Sequence, residues 1–171
     1  MSIDMLLKEL FEQFESEKYN ILYHVSPLPK FDGTRETTLD AMEDLYNSLY
    51  DELEYIEDDD VYYNKERQMK KIGSYHKLFS KGKRFHDDIS DAPKDSFYAT
   101  SQPEYWQSVM EDEHGTDYSH GGIYKVYLKS PQTEDYVPSG MGKLAPQAIV
   151  NINNITRITG PFKTYKQAYV S

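Results

Sequence analysis

The chain reads as an α+β fold: a largely antiparallel sheet, an N-terminal helix and a charged helical hairpin. Three observations lead there. Up to Phe79, apolar residues recur mainly at helical spacing. From Phe97 onward, short runs of β-branched and aromatic residues take over. In that second half strands outnumber the helices able to connect them, which favours antiparallel pairing.

Ser2 caps a first helix in which Ile3, Leu6, Leu7, Leu10, Phe11 and Phe14 form one apolar stripe, with Asn20 as its stop. Asn20 to Val25 follows as a strand, and Pro27, Pro29 and Gly33 impose an irregular loop. Thr38 or Asp40 then opens an acidic helix carrying Leu39, Met42, Leu45, Leu49, Leu53 and Ile56. The acids Glu57 to Asp60 break it, because they repel one another and sit badly at the negative end of a helix dipole. A second helix runs from Val61 to Phe79, and the short connection sets the pair antiparallel.

Lys81 to Lys94 is loop-like. Phe97 to Thr100 is an aromatic strand, after which Ser101 caps a helix with Pro103 in its first turn and Glu104 at the capping-box position. Glu111 to Gly122 is expected to be a solvent-exposed loop. Ile123 to Lys129 alternates, with Tyr124, Val126 and Leu128 on one face. Tyr136 and Val137 suit a short edge strand, and Pro138 to Gly142 a mobile loop. Gln147 to Ile152 and Ile155 to Thr159 read as two strands about a tight Asn153-Asn154 turn.

The 171 residues fit one domain, 1–171, with 38–79 as the charged hairpin. A hydrophobic share of 38% is low, but 16 tyrosines and 7 phenylalanines supply the apolar mass of a globular core. No apolar run approaches the ~20 residues of a membrane span. Nor does the N-terminus have the layout of a secretory signal, so a cytoplasmic protein is expected. Without cysteine there is no disulfide, thiolate metal site or cysteine nucleophile.

A net charge of −10 argues against duplex nucleic acid as a partner. The charge is blocked: Thr34 to Val61 holds eleven acids and one base, and Tyr63 to Phe85 holds eight bases and one acid. Such blocks read either as solvated faces or as a surface for a protein partner.

Few residues carry evident chemistry. His24 suits a half-buried histidine bonded to a carbonyl, or a ligand contact. Ser96 to Trp106 suits a plain strand-to-helix junction, or the lining of a pocket. The Gly82–Lys83 pair lacks the rest of a phosphate loop. His86, Asp87 and Asp88 are adjacent and do not converge on a metal ion, so no metal site is expected.

Leu22-Tyr23-His24-Val25-Ser26, Phe97-Tyr98-Ala99-Thr100 with Tyr105, and Gln147-Ala148-Ile149-Val150 together give the chain a likeness. It resembles the ADP-ribosyltransferase-like fold, in its histidine–tyrosine–glutamate branch, whose members bind NAD in a cleft between two small sheets; this likeness implies that the antiparallel sheet is split and that the 38–79 hairpin is an insertion. The resemblance implies that His24 holds the ribose and amide end of the nicotinamide half, and that Tyr105 or Tyr98 stacks on the ring. Gln147 stands where that branch has a glutamate. The implied catalytic set is His24, Tyr105 and Gln147, and the implied NAD contacts are Tyr23, His24, Ser26, Tyr98, Thr100 and Tyr105. Breaking the nicotinamide–ribose bond passes through an oxocarbenium-like state that a carboxylate stabilises. Gln147 carries no charge, which leaves Glu104 or Glu134 to substitute, or a binder without turnover.

Three functions follow as expectations. One is a divergent NAD-dependent mono-ADP-ribosyltransferase that transfers ADP-ribose to a macromolecular target. The next is a non-catalytic binder of NAD or ADP-ribose on the same scaffold. The last is an acidic interaction protein that docks a partner through its Thr34–Asp60 face.

Overall fold

The computed structural model describes residues 2–7, 17–81, 95–139 and 142–171. Residues 3–7 are helical, and the Ser2 hydroxyl accepts the Met5 N–H at 3.2 Å as the expected cap. Ile3, Leu6 and Leu7 are exposed, and the rest of their stripe (Leu10, Phe11, Phe14) lies outside the described residues. Asn20 does not stop a helix; it is the second residue of strand β1, Tyr19–Ser26.

Helix α1, Arg35–Leu53, begins earlier than Thr38 or Asp40. Its cap is Thr34, whose hydroxyl accepts the Thr37 N–H, while the Asp32 carboxylate accepts from Thr34 and Thr37. Helix α2, Asp59–Ser80, is capped by Asp58, which accepts the Val61 N–H at 3.0 Å. Helix α1 ends at Leu53, short of Ile56 and of the acids Glu57 to Asp60 expected to break it; Asp59 and Asp60 instead sit at the favourable end of the α2 dipole.

The helices pack antiparallel. Arg35, opening α1, donates to the Phe79 carbonyl at the close of α2, and Lys65, early in α2, reaches Glu52 late in α1. Their shared core is Ala41, Met42, Leu45, Leu49 and Ile72, joined by Leu28 from the loop after β1. A Cβ on Gly73 would lie 3.2 Å from the Tyr46 ring, so the glycine lets the helices close.

The remaining elements are β2 (Ser96–Ala99), α3 (Pro103–His114), β3 (Gly122–Gln132), β4 (Asp135–Pro138), β5 (Leu144–Asn151), β6 (Ile155–Phe162) and α4 (Tyr165–Val170). They form two three-stranded antiparallel sheets, ordered β1-β3-β6 and β2-β5-β4. One core lies between them: Leu22, Val126 and Leu128 from the first meet Phe97, Ala99, Ala148 and Val150 from the second. The far face of the first sheet packs Tyr23 and Ile123 against Ala168 of α4. Both sides of β3 are therefore buried at its start, and even Lys125 is enclosed, donating to the Ser171 carbonyl at 3.0 Å.

β5 and β6 do not form the expected hairpin. The chain makes one 3-10 turn at Ile152–Asn154, capped by Asn151, and crosses from the second sheet to the first. Val150 and Ala148 complete the core from one side while Ile155 and Ile158 approach it from the other, and pairing the two strands would remove one of those sides.

The expected exposed loop, Glu111 to Gly122, is exposed only in part: Glu111–His114 are exposed but belong to α3, whereas Tyr118 and Gly121 are buried, Asp117 binds Lys65, and His120 Nε2 lies 2.5 Å from Glu52 Oε1. No helix among the described residues is long and apolar enough to cross a membrane.

Candidate functional site

The two sheets touch at one rung. Tyr23 and Thr100 exchange both backbone hydrogen bonds at 2.8 Å, tying β1 to the end of β2. In an antiparallel ladder the next bonded rung would join Val25 to Tyr98. That rung is absent, and the sheets part there. His24 fills the wedge: its Nδ1 lies 2.7 Å from the Tyr98 carbonyl oxygen. A carbonyl can only accept, so Nδ1 carries the proton and Nε2 is left as an acceptor.

The His24 ring stacks on Phe31, with centroids 4.1 Å apart, and meets the edge of Phe97 at 5.2 Å. Burial lowers its pKa to about 4, against a partial opposing effect of the Tyr98 carbonyl, so the ring is neutral at neutral pH. Sequence alone left His24 between a carbonyl-bonded structural residue and a ligand contact; its Nδ1 takes the first role, and its Nε2 leaves the second available.

Beside this wedge lies a cleft of about 810 Å³, bordered by β1, β2, the β4–β5 edge, α2 and α3. Of the residues singled out above, Tyr23, His24, Ser26, Tyr98, Thr100 and Gln147 border it. Three of these already hold internal contacts. The Tyr23 ring packs edge-on against Tyr165, and burial raises its phenol pKa to about 12. Ser26 Oγ accepts the Leu28 N–H, and Thr100 Oγ1 donates to the Pro146 carbonyl while accepting the Gln102 N–H. Tyr98 meets His24 through its carbonyl; by strand alternation its side chain takes the opposite face of β2 from Phe97.

Tyr105 does not border the cleft. Its hydroxyl is 2.6 Å from Ser139 Oγ, and the neighbouring Trp106 takes the cleft wall instead, its Nε1 donating to the Pro146 carbonyl. The helix starts one residue later than expected: Gln102 is the N-cap and makes no side-chain cap bond. Ser101 is not the cap; its N–H donates to Glu134 at 2.8 Å. Glu104 accepts the Tyr165 N–H at 3.2 Å. Neither acid considered as a substitute for the missing glutamate borders the cleft, and Glu113 does.

Sequence reasoning missed the contribution of α2. Arg67, Lys71 and Tyr75 share its cleft-facing side, at a spacing readable within the basic block. The hairpin is thus a wall of the site and does not stand off the sheets. It is fastened there by Lys65, which binds Glu52 at 2.9 Å and Asp117 at 3.1 Å, and by Gln68, which donates to the Asp117 carbonyl. Burial opposes charge in this network, but the hydrogen bonds outweigh it, holding Lys65 above and Glu52 and Asp117 below their usual pKa values.

Comparison with protein-family models, with curated proteins and with solved structures finds no significant match for this chain.

Proposed function

We propose that the chain binds NAD in this cleft as a divergent ADP-ribosyltransferase-like protein with weakened capacity to transfer ADP-ribose to a macromolecular target. One observation carries the reading: the open rung at Val25 beside a neutral histidine. Tyr23 directs its N–H and C=O to β2, so Val25, two residues on, directs its own pair into the parted sheets. A donor and an acceptor side by side on a strand edge suit a carboxamide, which offers one of each. His24 Nε2 supplies an acceptor for a ribose hydroxyl.

Gln147 explains the weakened chemistry. Its amide can hydrogen-bond a sugar hydroxyl but cannot stabilise an oxocarbenium-like state as a carboxylate does. Loss of one such group costs ~10²–10³ in rate. The test is calorimetry with NAD, together with nicotinamide release by wild type, Gln147→Glu and His24→Ala. Binding by wild type with slow release, and release raised ~10²-fold by Gln147→Glu, is the expected outcome. No NAD binding by wild type would end this reading.

A second reading rests on α1, where Glu36, Asp40, Glu43, Asp44 and Asp51 are exposed and, among the described residues, only Lys30 and His76 form ion pairs with any of them. Such a face suits a basic protein partner. A complex through it would weaken as salt rises, because exposed charges are screened beyond ~8 Å at physiological ionic strength.

A further inference from the structure

We infer that the cleft-facing side of α2 is a clamp for a sugar diphosphate, so that the hairpin selects ADP-ribose and dinucleotides over nucleosides. The inference rests on the nucleotide reading of the cleft and assigns the hairpin its role there.

Arg67 and Lys71 border the cleft one helical turn apart. Side chains at i and i+4 are neighbours on a helix surface, ~5–6 Å apart at Cβ, a spacing that suits two adjacent phosphates. Of the other lysines of α2, Lys65 is held by Glu52 and Asp117 and Lys70 by Glu66, while Lys77 makes no ion pair among the described residues and does not border the cleft. Arg67 and Lys71 make no ion pair among the described residues; Lys71 only lies over the Tyr75 ring at 5.7 Å. In a chain of 29 acids and 19 bases, these two cations border the cleft with no acid paired to them among the described residues. A guanidinium binds phosphate oxygens bidentately and an ammonium adds a point charge.

A second, independent observation lies between them. Gln68 is 8% exposed and borders the same cleft. Its Nε2 donates to the Asp117 carbonyl, which leaves Oε1 buried with no hydrogen-bond partner among the described residues. A buried acceptor of this kind calls for a donor. Glu113 borders the cleft from α3 and repels an anion from that side, confining the phosphates to α2.

The experiment uses the full chain. Trp106, the only tryptophan, borders the cleft and reports occupancy by its emission, with calorimetry as the second readout. The probes are ADP-ribose, adenosine, inorganic pyrophosphate and NAD. The test variant is Arg67→Gln with Lys71→Gln. Its charge-matched control is Lys70→Gln with Lys77→Gln, both exposed on α2 and away from the cleft.

Wild type should bind ADP-ribose at least ~10-fold tighter than adenosine, and more weakly as salt rises. The test variant should lose ~10- to 100-fold for ADP-ribose, the size expected when charge-assisted hydrogen bonds to phosphate are removed. The control should change less than about twofold, within the range of screened surface charges. Equal binding of ADP-ribose and adenosine by wild type would overturn the clamp without any variant being made. So would a test variant that binds like the control.

The two readings fail separately. NAD binding that depends on His24 but not on Arg67 and Lys71 removes the clamp and keeps the nicotinamide site. Binding of ADP-ribose through Arg67 and Lys71, with NAD no tighter and His24→Ala silent, keeps the clamp and removes the nicotinamide site.

Discussion

Replacing His24 with phenylalanine should make the protein less stable at neutral pH and more stable at pH 4. Phenylalanine keeps the stack on Phe31 and the edge contact with Phe97, but removes the donor to the Tyr98 carbonyl and the titrating group. At pH 7 the half-buried Tyr98 carbonyl loses the His24 N–H, at a cost of ~1–2 kcal/mol. The pH term has the opposite sign. Above about pH 6.5, the ordinary histidine value, the ring is neutral in both states and its contribution is complete. Between there and about 4, the folded-state value, the unfolded chain takes up a proton that the folded chain refuses, so wild-type stability falls with pH. Below that both states are protonated and the loss levels off. A displacement of this size corresponds to ~3 kcal/mol, larger than the hydrogen-bond term, so the two stability curves should cross between pH 7 and pH 4. Urea unfolding followed by Trp106 emission at each pH measures both curves, and the carboxylates common to both proteins cancel in the difference. A gap between variant and wild type that is the same at pH 4 and pH 7 would refute the desolvated, carbonyl-bonded wedge.

Lys65→Met should cost ~1–2 kcal/mol at pH 7, discounted for the partial exposure of Glu52 and Asp117. Both acids are held below their ordinary values, so the contribution is complete above about pH 4 and fades as pH falls through the folded values; urea titration should find the gap closing in acid. Gly121→Ala places a Cβ 2.2 Å from the Ser26 carbonyl oxygen and 2.5 Å from the Pro27 carbonyl carbon. Backbone must move at the cleft rim, for a loss of ~3 kcal/mol read as a lower melting temperature, and an unchanged value would contradict that close approach. Replacing Thr38–Phe79 with a short Gly-Ser bridge should leave a protein that unfolds cooperatively at lower denaturant, because two of the three apolar clusters contain no hairpin residue. Loss of cooperative unfolding would show that the sheets depend on the hairpin.

The sequence by itself determined the local elements. Helical spacing marked both hairpin helices, and alternation marked β3, because an element that buries one face writes its own period into the chain. The lone edge strand at Tyr136 and Val137 was legible too, whereas the split of the sheet was implied only by the family resemblance. Caps were less so: Thr34 and Gln102 were missed, and each has its own N–H accepted by a side chain two residues earlier, Asp32 and Thr100, a turn that carries the chain into the helix. Only the tertiary structure decided which strands pair. Asn151 to Asn154 suits a hairpin turn and a crossing between sheets equally well, and the choice lies with the core that Val150 and Ile155 reach from opposite sides. The same holds for the site. His24 and Tyr98 were legible as a pair of segments, but the missing rung that makes His24 a wedge is a relation between two strands and has no local trace. Tyr105 and Trp106 are adjacent and equally aromatic, and the position of each around α3 decides which meets the cleft. The basic stripe of α2 was visible as charge, but its direction depended on Leu28 and Asp117, residues outside the hairpin that hold it against the sheets.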